Sequence, residues 1–160
     1  MSNYFRKSRN VQKSLKKYLS DCFSADWSGI TVLLNFKDAY SNSNSLPIVV
    51  LDMIDKEEYR LELGSSTMME KFGIDINIFG KSSGQTWDLA DYISSKVKEG
   101  FEYYTYANDP TDKSSLIETD SETRVQFLNF VSNRPIDIGD NAHKRDKFRH
   151  KITMILEKNL

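Results

Sequence analysis

The chain has 160 residues, 39% hydrophobic and 28% charged, enough for one domain with its own core. Lys plus Arg is 22 and Asp plus Glu is 23, a net charge of −1, which argues against a globally basic nucleic-acid binder. One Cys excludes an intrachain disulfide framework and a multi-Cys zinc site, and 7 Gly with 3 Pro exclude a low-complexity chain.

The N-terminal residues are basic and polar with no long apolar run. Neither a secretory signal nor a transmembrane helix is predicted, and a reducing cytoplasm, or a particle assembled there, is the expected setting. No internal repeat or long Gly/Ser linker divides the chain, so one domain over 1–160 is expected.

A helix is predicted from Phe5 to Phe23, with Val11, Leu15, Tyr18, Leu19 and Cys22 on its apolar face. Its other face is basic: Arg6, Lys7, Arg9, Lys13, Lys16 and Lys17. Turn chemistry at Asp26 to Gly29 closes it. A strand follows at Ile30 to Phe36, then a mobile loop from Lys37 to Ser45. Pro47 opens a strand from Ile48 to Ile54. Asp55-Lys56-Glu57-Glu58 reads as a charged turn, with Tyr59 to Leu63 as the returning strand.

Phe72 to Phe79 alternates Phe72, Ile74, Ile76 and Ile78 with Gly73, Asp75 and Asn77, a strand with one buried face. Ser82 with Gln85 reads as a capping box before a helix that buries Leu89, Ala90, Ile93 and Val97 and ends at Gly100. Phe101 to Tyr106 is a short aromatic strand. Asn108 to Ser121 reads as an exposed loop. Two long strands, Thr123 to Ser132 and Phe148 to Glu157, finish the chain. The link from Asn133 to Lys147 is too long for a tight turn, and 136–147 is expected to be a loop or arm. The order predicts an α+β fold: a two-layer, mostly antiparallel sheet with the N-terminal helix and a second helix packed on one face, and long loops between strands.

Catalytic signatures are missing: there is no GxGxxG, GxxxxGK[ST], HExxH or GxSxG. Gly80-Lys81-Ser82 looks like the end of a phosphate-binding loop, but Asp75 stands where the upstream Gly is required. A strand end followed by a helix cap accounts for it. Asp52, Asp55, Glu57, Glu58, Glu62 and Asp75 lie in or near strands and are read as a solvated or interface-facing row, with a metal-dependent nuclease site as the sharper alternative. His143 and His150 are read as part of a basic surface segment, and Cys22 as a small core residue. Tyr103, Tyr104 and Tyr106 are assigned to packing in preference to a stacking platform.

Two basic clusters stand out: the first helix, and Lys144, Arg145, Lys147, Arg149 and Lys151. For each, a solvated face, an acidic protein partner and phosphate contact are weighed in that order. Acids concentrate at Asp52 to Glu62 and Asp109 to Glu122, including Asp112 and Glu118. Separated patches of opposite sign would let copies associate head to tail, and a heterologous contact that closes gives a ring.

At Pro47-Ile48-Val49-Val50, at Leu61-Glu62-Leu63-Gly64-Ser65 and at Phe72 to Gly80 the chain resembles the tail terminators of tailed bacteriophages, also called tail completion or head-to-tail joining proteins. The following Gly84-Gln85-Thr86-Trp87-Asp88-Leu89-Ala90-Asp91-Tyr92-Ile93 adds to the likeness. It covers most of the chain, in element order and local pattern. The resemblance implies a non-enzymatic virion protein, assembled in the host cytoplasm, that forms a hexameric ring of itself at the head–tail junction. The ring would cap the tail tube protein, dock a neck or head-completion protein, touch the tail sheath where the tail is contractile, and let DNA pass through its lumen. It implies no catalytic residue, metal, cofactor or membrane. The expected contact elements are the three long loops with Arg6, Lys7, Arg9, Lys13, Lys16, Lys17, Asp112, Glu118, Lys144, Arg145, Lys147 and Arg149. Sheet edges of neighbouring subunits are expected to pair. The rivals are a head-completion or neck stopper protein, a nuclease using Asp52, Glu62 or Asp75, and a small nucleic-acid-binding module using the basic helix.

Overall fold

The computed structural model describes residues 7–41, 45–60, 62–64, 68–106, 116–137, 139 and 144–159, and for 116–122, 144 and 159 the backbone alone. Helix α1 spans Lys7–Asp26 and buries Val11, Leu15, Leu19 and Phe23, one residue per turn. It runs past the expected end at Phe23, and the Trp27 N–H still donates to Phe23 O at 2.8 Å. The expected start at Phe5 lies outside the described residues.

Strand β1 is only Thr31–Leu33, not Ile30 to Phe36. From Phe36–Tyr40 the chain winds into a 3-10 turn, because the Asn35 side chain accepts from the Lys37 N–H at 3.0 Å and caps it. The expected loop from Lys37 is therefore partly structured; its residues 42–44 lie outside the described set.

The largest correction concerns Asp55 to Glu58. These residues do not turn. Strand β2 runs unbroken from Ile48–Arg60 and pairs antiparallel with β3, Met68–Phe79. Glu57 sits opposite Lys71, Lys56 faces Glu70 of the neighbouring strand at 3.8 Å, and the Lys71 ammonium lies 4.7 Å from the Tyr59 ring centre. Cross-strand partners of this kind override the weak strand preference of Asp, Glu and Lys. The turn falls instead beyond Arg60, where Gly64 has φ +85°.

Helix α2 is Ser83–Val97, capped by Ser82, whose hydroxyl accepts from the Gln85 N–H at 3.2 Å. The Gln85 side-chain Oε1 accepts from the Lys81 N–H at 2.8 Å, so this capping box closes one residue earlier than usual. Gly100, at φ +74°, turns the chain into β4, Phe101–Tyr106.

Strand β5 spans Leu116–Ile136, overturning the loop expected up to Ser121 and absorbing Asn133 to Ile136 from the expected link. Its first half pairs with β4 and its second half with β6, Arg149–Asn159. A short 3-10 turn at Lys144–Asp146 precedes β6.

The six strands form one curled sheet in the order β1-β2-β3-β6-β5-β4, antiparallel except for the parallel β1–β2 pair. Seven strands were expected; two of them are one. Both helices pack on one face. There α1 and α2 meet Phe72, Ile74, Ile76 and Ile78 of β3, Ile152, Met154 and Leu156 of β6, and Val125 of β5. The fold is the α+β class read from the sequence. The opposite face has a smaller cluster in which Ile48, Val50 and Phe79 are covered by Ala39, Phe36 and Tyr40 of the 3-10 turn.

Candidate interaction surface

Among the described side chains, five of the eight cations expected at an interface are engaged within the fold. Lys7 bonds the fully buried Glu70 at 2.6 Å. Lys13 lies over the Tyr106 ring, and Lys17 over the Tyr104 ring while pairing with Asp21 at 3.0 Å. Arg9 is exposed and Lys16 half-exposed. Arg6 lies outside the described residues.

The second cluster does structural work that the solvated-face reading missed. The Arg149 guanidinium sits between the Phe36 and Phe79 rings, donates to Asn77 Oδ1 at 2.9 Å and faces Asp146 at 3.7 Å. Arg145 donates to the Ala39 carbonyl at 3.0 Å. These two arginines fasten the 3-10 turn onto the sheet. Lys147 is exposed beside the Phe148 ring. Lys144 opens the short 3-10 turn and Glu118 pairs opposite Thr105, with their side chains undescribed; Asp112 lies outside the described residues.

Asp75 and Asn77 are likewise not solvated. Asp75 is 8% exposed, accepts from the Thr153 hydroxyl at 2.6 Å and pairs with Lys151 at 3.2 Å. Asp52 is its cross-strand neighbour, while Glu62 sits in the exposed turn beyond β2, so the three proposed nuclease acids do not converge. Among the described residues no three His, Cys, Asp or Glu side chains are grouped to hold a metal ion.

His150 is a second correction: it is fully buried, set edge-on to the Trp87 ring, with Nε2 against Asn133 Oδ1. Burial pushes its pKa below the ordinary value. His143 lies outside the described residues. Cys22 is half-buried, and burial raises its thiol pKa. Tyr103 and Tyr106 are buried and Tyr104 half-buried, as packing requires. A cleft of about 220 Å³ opens beside Tyr18, Phe101 and Tyr104. Its cations Lys17 and Arg124 are matched by Asp21 and Glu102, so it offers no net charge to a ligand.

The edges of the sheet are unequal. Helix α1 occupies part of two of them. The Ser14 hydroxyl accepts from the Tyr104 N–H at 2.9 Å, and the Gln12 amide donates to the Leu51 carbonyl at 2.6 Å. Beyond these points, β2 from Asp52 to Arg60 and β5 from Gln126 to Ile136 each have a described strand on one side only.

Both stretches are bulged. The β2–β3 ladder skips Ile54; the β5–β6 ladder skips Leu128 and Val131. The three skipped residues are all exposed apolar side chains, at 49%, 42% and 61%. Opposite the first bulge a side chain at Gly73 would meet Ile54 and Asp55 atoms at 3.2 Å, so the close approach favours glycine. These edges were missed from the sequence. Their signal is the run Phe127-Leu128-Asn129-Phe130-Val131-Ser132, which repeats every three residues where an unbulged strand repeats every two.

Among the described residues no helix is long and apolar enough to cross a membrane. Compared with known proteins, the chain matches no family model, and no curated protein matches it in sequence.

Proposed function

We propose that this chain is a structural virion protein of the tail-terminator kind: a ring-forming subunit that caps the tail tube and joins it to the head while leaving a lumen for DNA. The observation that carries the reading is the pair of strand stretches on opposite flanks of the sheet that have a described strand on one side only, one exposing Ile54 and the other Leu128 and Val131. Exposed apolar side chains on separated edges suit self-assembly, since monomeric proteins keep such patches small. The resemblance in the β3–α2 region supplies the biological setting. Binding by surface complementarity would let one ring face match a tube subunit and the other decline to template further growth.

Electron microscopy of particles lacking the protein tests this. The expected result is full heads separated from tails, many with overlong tubes. Tails of normal length with leaking heads would instead favour the neck-stopper reading, and normal particles would end both.

A further inference from the structure

The two bulged edges match each other in height and in apolar exposure, and at one end they carry opposite charge. Following the ladders across the sheet, Met53 pairs with Ile74, Ile74 with Met154 and Met154 with Phe130. The next rung runs Asp55, Gly73, Ile155, Asn129. Ile54 lies between these rungs. It is therefore level with Asn129 and Phe130, midway between Leu128 and Val131 on the far flank.

The charges bracket that centre. Asp52 is level with Ser132, through Asp75 and Thr153, and Arg134 stands two residues along the same strand. Glu57 is level with Gln126, through Lys71 and Glu157. Asp52, Glu57 and Arg134 are exposed, and their registers place them on the sheet face away from the helices. One edge thus reads acid, apolar, acid; the other reads Gln126, apolar, Arg134. Strands β2 and β5 are three antiparallel steps apart, so they run in opposite directions.

From this match we infer that the β2 edge of one copy docks on the β5 edge of the next, with Ile54 seated between Leu128 and Val131. The inference rests on the ring reading and names its contact. A rotation about an axis along the strands brings the edges together without a change of level. Such a contact is heterologous, and with no shift along the axis it forms a ring where the rotation per copy divides the full circle. The bulges and charges interrupt a continuous backbone ladder, so contact is made by side chains and open-ended strand addition is disfavoured.

The test is cross-linking of the full chain in a Cys22→Ser background. Ile54→Cys and Val131→Cys are both exposed positions, so neither substitution disturbs the core. Mixed under oxidation, the two variants are expected to give a disulfide heterodimer, and a chain carrying both cysteines a ladder that stops at a closed oligomer. Disulfides only between identical variants, or none, overturn the inference; if native mass still shows a ring, the ring reading stands and its contact lies elsewhere. Cross-links in a protein whose loss leaves phage particles normal would end the ring-capping reading and keep the contact. As a second measurement, Arg134→Glu is expected to weaken self-association about tenfold, the scale of an interface charge, and Asp52→Arg in the same chain to restore it.

Discussion

Phe127 and Phe130 are three residues apart on one strand, yet their ring centres are 4.4 Å apart and both pack against the main core. In a regular strand residues i and i+3 point to opposite faces. The skipped Leu128 absorbs the extra step and turns Phe130 back to the helix side, and the skipped Val131 repeats the device. The same irregularity that keeps two aromatics inside puts two aliphatic side chains outside. Core packing and the proposed docking surface are therefore consequences of one backbone feature.

Val131→Ser keeps the bulge and is expected to change stability by less than about 0.5 kcal/mol, as for an exposed position. Deleting Val131 removes the bulge, and plain alternation then carries Phe130, Ser132 and Asn133 to the faces and partners they already have, so Asn133 still reaches His150. The urea midpoint should therefore move little for the deletion and hardly at all for the substitution. A sharp fall for the deletion would show that the bulge itself, and not the ladder on either side of it, holds the register.

How much of this was legible in the sequence depends on where the deciding contacts lie. β3, α2 and β4 were readable because alternation, the Ser82–Gln85 cap and Gly100 are local signals. Asp55 to Glu58 misled because the partners that hold this segment extended, Lys71 and Glu70 among them, are contributed by another strand. Arg149 and His150 misled for the same reason. One is clasped between aromatic rings far away in sequence and the other is buried under Trp87. A charge run read alone looks solvated; only the fold reveals which cations are already engaged.

Glu70 is fully buried, bonded by Lys7 and with Lys56 at 3.8 Å, while its second oxygen has no hydrogen bond among the described residues. Lys7→Met leaves that carboxylate short of a partner and is expected to destabilise by about 2 kcal/mol or more. Adding Glu70→Leu should recover most of the loss, because an apolar pair carries no desolvation penalty. The bond to Glu70 holds the Lys7 ammonium above its ordinary pKa, so this contribution is complete at neutral pH and is lost only as pH rises above the lysine range. Urea unfolding of the wild type, Lys7→Met, Glu70→Leu and the double variant checks the cycle; additive losses would deny the coupling.

Burial lowers the His150 pKa, and Asp91 opposes the shift only in part. With Nε2 engaged by Asn133, the second ring nitrogen, Nδ1, has no partner among the described residues, so a proton arriving there is unsupported. The folded pKa lies below the unfolded value. Its contribution is therefore present above pH 6.5 and is lost as pH falls through the folded pKa. Wild-type stability should drop between pH 7.5 and pH 5, and His150→Gln should flatten that drop while lowering stability at pH 7.5. The same slope in both proteins would assign the acid sensitivity to other groups.

Gly80 joins β3 to the cap of α2, and its N–H donates to the Phe148 carbonyl at 2.9 Å. A β-carbon there would lie 2.5 Å from Thr86 Cγ2 and 3.3 Å from the Ser82 carbonyl oxygen. Thr86 is itself buried and bonded to the Ser83 carbonyl, so it has little room to retreat. Gly80→Ala should then destabilise by about 1–3 kcal/mol through overpacking. Thr86→Ser removes the clashing methyl and keeps the hydroxyl, so Gly80→Ala in that background should lose clearly less. Thermal melts of the four proteins measure the coupling. An undiminished loss would place the strain in the backbone near Ser82 instead of at the Thr86 methyl.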